Sequence, residues 1–184
     1  MTAGSGILHQ EMPQPANRML GFQMWLNLPS SDKMTHPTYL SITQDMIPVI
    51  EVDNAIVKVL SGSFVDAIGV KPHHIQVTIY DISLQANGAI ELPTKPNETV
   101  FIFLIEGDAV IDSQAIPEKT AVLFNEGNRI VVTAQPGSEL RFIFFSAKPL
   151  QESIAWGGPI VMNTDQELDH AFKELREDSF IKHG

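Results

Sequence analysis

The sequence contains no cysteine and has few basic residues for its length. Without cysteine there is no disulfide, no thiolate nucleophile and no thiolate ligand for zinc or an iron–sulfur cluster. Any bound metal ion must therefore be held by histidine, aspartate or glutamate. Twelve Lys and Arg stand against 22 Asp and Glu, a net charge of −10, and such a field repels phosphate backbones and anionic membrane surfaces. The charge predicts no direct binding to nucleic acid or to membranes.

Long apolar runs are also missing. No run reaches the roughly 18 to 20 residues that cross a bilayer, and the first residues, MTAGSG, lack the basic and apolar regions of a signal peptide. We therefore expect a cytoplasmic protein. Hydrophobic residues make up 43% of the 184 residues, which predicts a packed core in one large domain or two small ones.

Short runs rich in Val, Ile and Phe follow one another from residue 55, and each is ended by Gly, Pro, Asn or Asp. No helical period separates them, which predicts an all-β sandwich or jelly roll rather than a parallel α/β sheet. Gly107, Gly127 and Gly137 fit turn positions that need a positive φ. The predicted strands are Ala55 to Leu60, Ile75 to Leu84, Val100 to Ile105, Ala109 to Ile111, Thr120 to Phe124, Arg129 to Thr133 and Leu140 to Phe145.

Two further strands are predicted near the N-terminus, at Gly6 to Pro13 and Gly21 to Pro29. In the second, Phe22, Met24 and Leu26 alternate with polar neighbours, so one face is apolar. Residues 30–48 are rich in Pro, Ser, Thr and Asp, which indicates a linker. We place a domain boundary there, with units at 1–48, 49–150 and 151–184.

One helix is predicted near the C-terminus. Thr164 and Glu167 have the spacing of a capping box, and Leu168, Ala171 and Phe172 begin an apolar stripe with helical period. A stripe this narrow is typical of a helix that packs on a sheet. The alternative is a helix that binds a partner protein.

His9 and Glu11 are the candidate metal ligands. Residues two apart on a strand point to the same face, so an imidazole and a carboxylate can converge there on one divalent transition ion. Two ligands are too few for a closed site, and an exposed strand face or an ion pair explains the same spacing.

The other histidines and the acidic turns offer less. Adjacent His73 and His74 would point to opposite faces of a strand and so could not easily share an ion, and we expect them in a turn or at a strand edge. His36, His170 and His183 are expected on the solvated surface. No nucleophile elbow, P-loop or dinucleotide fingerprint is present. Two acidic Gly-containing segments, 106–108 and 126–128, suit hairpin turns better than calcium loops.

The order of these motifs resembles the pirin family. The resemblance is carried by Gly6 to Pro13 and Phe22 to Pro29, by Lys33-Met34 and Ile47-Pro48, and above all by Gly158 to Thr164. Pirins are bicupins, two stacked jelly-roll barrels, with one metal ion, generally iron, in the N-terminal barrel. Some members resemble quercetin 2,3-dioxygenases, and others act as transcriptional co-regulators.

The resemblance implies an all-β cupin fold with a C-terminal helix: residues 1–48 as a remnant of the N-terminal barrel, 49–150 as the C-terminal barrel and 151–184 as an extension. The family metal is held by three histidines and one glutamate, of which His9 and Glu11 match the second pair. The upstream His-x-His pair has no room before His9, so we predict a truncated chain with weak or absent binding of Fe(II) or another divalent transition metal.

Three functions follow. The first is metal-dependent dioxygenase chemistry on a flavonol-like substrate, impaired by the missing ligands, with Glu11 as ligand and proton acceptor. The second is a non-enzymatic module that binds a regulatory protein. The third is a barrel that binds a small sugar or acid in a lumen lined by Ile102, Leu104, Val122 and Phe142. Unpaired strands in residues 6–29 also predict homodimers through exposed edges.

Overall fold

The computed structural model describes residues 1–183. They fall into two compact units, each treated separately below. One unit is Ile42–Pro149, and the other combines Met1–Ser41 with the residues from Leu150 onward.

The unit Ile42–Pro149 is built from short antiparallel strands. Its chain begins with a 3-10 turn at Gln44–Met46. The strands are β1 (Val49–Val52), β2 (Ala55–Ser61), β3 (Ser63–Phe64), β4 (Ala67–Ile68), β5 (Val77–Leu84), β6 (Ala89–Pro93), β7 (Thr99–Glu106), β8 (Ala109–Ile111), β9 (Gln114–Ile116), β10 (Ala121–Leu123), β11 (Arg129–Ala134) and β12 (Leu140–Ala147).

Two sheets contain most of these strands. One has six strands in the order β1-β2-β5-β12-β7-β10, and the other has four in the order β6-β11-β8-β9. Strands β5 and β7 flank β12 on either side, and both pairings are antiparallel. Neighbours in the sheets are often distant in the chain, which is the arrangement of a Greek-key sandwich and not of a parallel α/β sheet.

A single apolar core lies between the two sheets. Phe142, Ile82 and Leu104 of the six-stranded sheet are fully buried, as are Leu92 and Val132 of the four-stranded sheet, and all belong to one cluster. Alternate residues of a strand face opposite sides of the sheet, so these inward positions come from every second residue. The predicted sandwich is confirmed in this unit.

Aromatic rings form part of this core around Tyr80 of β5. Tyr80 stacks on Phe144 with 5.3 Å between ring centroids, and Phe64 meets Tyr80 edge-on at 5.6 Å. The Tyr80 hydroxyl donates to the carbonyl of Ser63. Burial raises the pKa of Tyr80 to about 12, so the hydroxyl stays protonated and remains a donor.

The opposite face of the six-stranded sheet carries a smaller cluster and an ion pair. Ile105, Ile143 and Phe145 are buried there. Arg141 donates two hydrogen bonds to Asp81, Nε to Oδ1 at 2.9 Å and Nη2 to Oδ2 at 2.7 Å. Strand β12 is therefore covered on both faces, which explains its nearly continuous apolar sequence.

The second unit contains one helix and one hairpin of its own. A 3-10 turn spans Ser30–Asp32, strands β13 (Ala155–Gly157) and β14 (Ile160–Met162) pair with each other, and helix α1 runs over Asp165–Arg176. Phe172 and Leu168 of α1 pack on Gly157, where a Cβ atom would meet their rings and methyl groups at 3.1 to 3.4 Å.

The predicted helix and its cap are confirmed. The Glu167 amide donates to Thr164 Oγ1 at 3.2 Å, and the Thr164 amide donates to Glu167 Oε2 at 2.9 Å, which is a complete capping box. Hydrogen bonds to the Glu167 carboxylate, first from the Thr164 side chain and then from the Thr164 and Asn163 amides, lower the pKa of Glu167. Helix α1 packs on its own hairpin, so the packing role predicted for the stripe is the one observed.

The two N-terminal strands predicted at 6–13 and 21–29 are wrong. Apart from a single bridge between Thr2 and Thr38, the described residues before Val49 form no strand. A strand needs a partner for its N–H and C=O groups, and alternation of apolar residues does not supply one. Phe22 and Trp25 are consequently 48% and 54% exposed.

Two predictions about turns also need correction. Segments 106–108 and 126–128 are not hairpin turns, because each connects strands of different sheets, β7 to β8 and β10 to β11. Gly107 has φ +79, and a Cβ atom there would lie 2.0 Å from the Glu139 carbonyl oxygen, so glycine is required. Gly137 also has a positive φ, but Gly127 does not, and a side chain would fit at Gly127.

Candidate functional site

His9 and Glu11 lie in an exposed stretch without regular secondary structure. Both side chains are open to solvent, and no strand holds them on a common face. Among residues 1–183, no group of three or more His, Cys, Asp or Glu side chains is close enough together to hold a metal ion. The two donors predicted from the sequence therefore have no third protein ligand in this structure.

The interior of the unit Ile42–Pro149, called the barrel unit from here on, is filled by its own side chains. Ile102, Leu104 and Phe142 are completely buried, and Val122 packs against them from β10. A sugar or acid site needs a few polar groups that converge on an open cavity. The four residues predicted to line such a cavity instead form the hydrophobic core, which does not favour the third function.

The remaining histidines are mostly surface residues. His73 lies in an exposed bend before β5. His170 on α1 is 68% exposed and lies 3.2 Å from Glu174 one turn later. His170 thus lies on the solvated surface expected for it, and the bend at His73 agrees with the turn or strand-edge position expected there.

His36 and His183 are exposed as well, as expected from the sequence, and the fold brings their rings together. The centroids are 4.3 Å apart and the planes are tilted by 32°. The His36 Nδ1 atom lies 2.8 Å from the carbonyl oxygen of Pro37, and only an Nδ1–H group can donate that bond. Sequence reasoning missed this pair because 147 residues separate the two histidines, and no local pattern links them.

The pair borders an open cavity of about 370 Å³ in the second unit. Apolar side chains make up the rest of its wall, from Ile7, Leu8, Pro37 and Ile181. The cavity thus combines two imidazoles with an apolar surround.

Three segments of the second unit meet at this cavity. Residues 2–6 are tied to residues 35–38 by the paired Thr2 and Thr38 backbones and by the Ser5 amide, which donates to the Thr35 carbonyl at 2.9 Å. Phe180 of the C-terminal segment packs against Gly6, whose φ of +129 and missing side chain leave room for the ring.

The C-terminal segment is anchored to the end of α1. The Ser179 amide donates to the Glu174 carbonyl at 3.0 Å. Lys182 donates to the Ser179 carbonyl at 2.9 Å and also to the Glu174 carboxylate. The hydrogen bond from Lys182 is the main cause that lowers the pKa of Glu174. Lys182, the residue before His183, thus forms an ion pair with Glu174.

A buried lysine forms a separate polar network in the same unit. Lys33 is only 7% exposed, and its Nζ donates to Asn27 Oδ1 at 2.6 Å and to the Leu28 carbonyl at 3.0 Å. Burial lowers the pKa of Lys33, and the carboxylates of Glu152 and Glu167 oppose that effect in part. These two hydrogen bonds connect the Lys33 side chain to residues 27 and 28 and so stabilise the chain over residues 27–33.

Glu152 completes this network. Its Oε2 accepts from the Ser30 amide at 2.8 Å and from Asn163 Nδ2 at 3.0 Å. Residues 158–164 are the part of the sequence that carries the strongest family resemblance, and Asn163 lies within it. Through this network, Asn163 has a structural role in connecting residues 30, 152 and 163.

Comparisons with known proteins agree on one family. Residues 79–181 match the family described as the pirin C-terminal cupin domain. A protein of Thermoplasma acidophilum, named "Putative quercetin 2,3-dioxygenase Ta0133", is 35% identical over 99% of this chain and 77% of its own length. Human pirin is 36% identical over 96% of this chain and 62% of its own length.

A solved structure supports the same fold. A quercetin 2,3-dioxygenase from Acinetobacter baumannii superposes with a TM-score of 0.79 and 29% identity, covering 85% of this chain and 55% of that chain. The chain thus spans about three fifths of human pirin and just over half of the Acinetobacter enzyme. Among the described residues, no helix is long and apolar enough to span a membrane. The predicted all-β cupin fold with a C-terminal helix is confirmed, and the chain belongs to the pirin family.

Proposed function

We propose that this protein is a pirin-family cupin with inherited quercetin 2,3-dioxygenase-type chemistry, and that residues 1–184 by themselves perform it poorly. The observation that carries the proposal is the exposed, isolated pair His9 and Glu11. The family resemblance implies a metal ion held by three histidines and one glutamate. The residues present do not fit that group.

The impairment follows from how ligands cooperate. A preorganised cage holds its donors at fixed positions before the ion arrives, and each missing donor leaves a position to water. Here two donors remain, and no strand fixes them relative to one another. Fe(II) or another divalent transition metal is therefore expected to bind weakly at His9 and Glu11, or not at all.

Exposure also weakens Glu11 as a proton acceptor. A general base works best in a site that excludes water and holds the substrate within hydrogen-bond reach. Glu11 is open to solvent, so bulk water competes for its oxygens. A flavonol-like substrate remains our proposal for this family member, with its recognition dependent on groups beyond this pair.

The test is an oxygenase assay on residues 1–184. The protein is incubated in air with quercetin and Fe(II), Ni(II) or Mn(II), and the loss of flavonol absorbance is followed. The blank contains quercetin and the same metal ion without protein. We expect no rate above the blank. The doubly substituted variant H9A/E11Q is the matched control. Robust turnover that H9A/E11Q abolishes would overturn the impairment, and turnover that survives in H9A/E11Q would place the chemistry elsewhere in the chain.

The alternative function is a non-enzymatic module that binds a regulatory protein. It is favoured by the complete sandwich of Ile42–Pro149, with its closed core, which persists whether or not a metal site forms. Exposed aromatic side chains, such as Trp156 at 70% exposure, are common in protein interfaces. A pull-down that recovers no specific partner, together with a measurable oxygenase rate, would eliminate this alternative.

A homodimer remains a proposal as well. Exposed apolar residues between 8 and 26 would gain free energy by covering one another in a second copy. Size-exclusion chromatography with light scattering measures this directly, and a monomer at all concentrations would rule it out.

A further inference from the structure

We propose that His36 and His183 form a two-imidazole binding site for one late first-row transition ion, Cu²⁺, Ni²⁺ or Zn²⁺. The site uses none of the residues that the family resemblance assigns to metal binding. It is therefore independent of the function proposed above.

The hydrogen bond of His36 favours this role. Its Nδ1–H donates to the Pro37 carbonyl at 2.8 Å, so Nε2 is the ring nitrogen that can bind an ion. A backbone carbonyl that accepts from the other ring nitrogen is the usual support for a metal-binding histidine, because it fixes the tautomer and the ring orientation. His36 has that support without any ion present.

The spacing of the two rings suits a shared ion. Imidazoles bound through Nε2 at about 2.1 Å, with an angle of about 90 to 110° at the metal, place their centroids about 4.5 to 5 Å apart. The observed distance is 4.3 Å. The open cavity beside the two rings leaves room for water in the remaining coordination positions of the ion.

Contacts of neighbouring residues in the C-terminal segment also hold His183 in position. Phe180 packs on Gly6, and Lys182 bonds to Glu174 and to the Ser179 carbonyl. The same N-terminal residues are paired to residues 35–38. These contacts reduce the conformational entropy that the two rings lose when an ion binds.

The charge and chemistry of the site set its selectivity. The net charge of −10 attracts cations, and the nearest lysine, Lys182, is already paired with Glu174. Neutral imidazole prefers Cu²⁺, Ni²⁺ and Zn²⁺ and has little affinity for Mg²⁺ or Ca²⁺, which require oxygen ligands. We expect Cu²⁺ to bind most tightly, in line with the general order of affinities.

The experiment titrates residues 1–184 with Cu²⁺ and records the electron paramagnetic resonance spectrum, with Zn²⁺ followed by calorimetry. We expect one ion per chain at this site and nitrogen hyperfine splitting from two imidazoles. H36A or H183A should weaken binding by at least about tenfold and remove one nitrogen from the spectrum. The double variant H36A/H183A should abolish the nitrogen hyperfine splitting from the two imidazoles.

Two matched controls separate this site from others. H170A and H73A remove exposed histidines outside the site and should leave the affinity unchanged. H9A/E11Q should also leave it unchanged, so failure here is distinguishable from failure of the proposed function. Circular dichroism and thermal unfolding confirm that each variant is folded. An affinity unaltered in H36A and H183A, or one lost in H9A/E11Q, would overturn the proposal.

Discussion

Strand β12 and residues 21–29 are both rich in apolar residues, but the first is a buried strand and the second is an exposed segment without regular secondary structure. β12 is hydrogen-bonded to β5 and β7 along its length, and Phe142 and Phe144 on its inner face are buried. Residues 21–29 form no strand, and Trp25 is 54% exposed. An apolar segment therefore becomes a buried strand only where neighbouring strands pair with its backbone.

The same difference explains why the two regions suit different roles. The unit Ile42–Pro149 gains stability from an apolar core that its own side chains fill. The N-terminal residues carry the family's ligand types, but without a sheet they lack fixed geometry. A metal site depends on donors held at fixed positions, and this region supplies no sheet to hold them.

Hydrogen exchange should show the largest contrast between the two regions. We expect amides at the centre of β12, such as Ile143 and Phe144, to open only with the whole barrel, while residues 8–26 lie outside any strand. We expect exchange in β12 to be slower by about a thousandfold or more, measured residue by residue by NMR. Strong protection in 8–26 would show that these residues find a partner in solution.

Truncation of one core ring should be the most damaging single change to the barrel unit. Phe142 is fully buried, so Phe142→Ala loses apolar burial and leaves a cavity. We expect a loss of about 3 to 5 kcal/mol in the free energy of unfolding, measured by urea denaturation.

The control is Leu123→Ala on β10, where the side chain is 72% exposed. Its effect should stay within about 0.5 kcal/mol. Equal effects of the two substitutions would show that the inner and outer faces are not distinct.

Removal of the ion pair on the other face of β12 should have a smaller effect. Arg141→Met leaves Asp81, which is 11% exposed, without its bidentate partner. Because the Arg141 side chain is 35% exposed, solvent reduces the cost to about 1 to 2 kcal/mol. The exposed pair of Arg129 and Glu91 is the control, and Arg129→Met should change stability by less than about 0.5 kcal/mol. A larger effect of Arg129→Met would contradict the role of burial.

The smallest effect is expected from Glu98, and it depends on pH. Burial raises the pKa of Glu98, but hydrogen bonds from Ser146 and Lys95 outweigh it, so the pKa lies below the usual 4.5. A carboxyl with a lowered pKa in the folded state stabilises the fold above pH 4.5 and loses that contribution as pH falls through its folded pKa.

Glu98→Gln should therefore cost about 1 kcal/mol at pH 7, and the difference from the original protein should shrink below pH 4.5. Chemical denaturation at a series of pH values measures it. A difference that stays constant down to pH 3 would show that the ionised form has no special role.

Much of the barrel could be predicted because its signals are local. The Val, Ile and Phe runs place β2, β5, β7, β8, β10, β11 and β12 to within two residues at most ends. The sequence did not indicate β1, β6 or β9. They are only three to five residues long, and their strand state comes from pairing with β2, β11 and β8.

The site residues were less predictable for the same reason. His9 and Glu11 are two apart in the sequence, so their pairing looked local, yet a missing strand leaves them exposed. His36 and His183 are distant in the sequence, and their contact depends on the anchored C-terminal segment. Ligand types are visible in a sequence, but their convergence requires the fold.

By itself the sequence determined the all-β class, the capped helix that begins after Thr164 and the absence of any cysteine chemistry, because each depends on composition or on neighbours within a few residues. Tertiary structure alone decided which alternating segments became strands, which histidines met and which aromatic rings closed the core. Those outcomes require groups distant in the chain to satisfy one another's hydrogen bonds and apolar surface, and local patterns do not specify such partners.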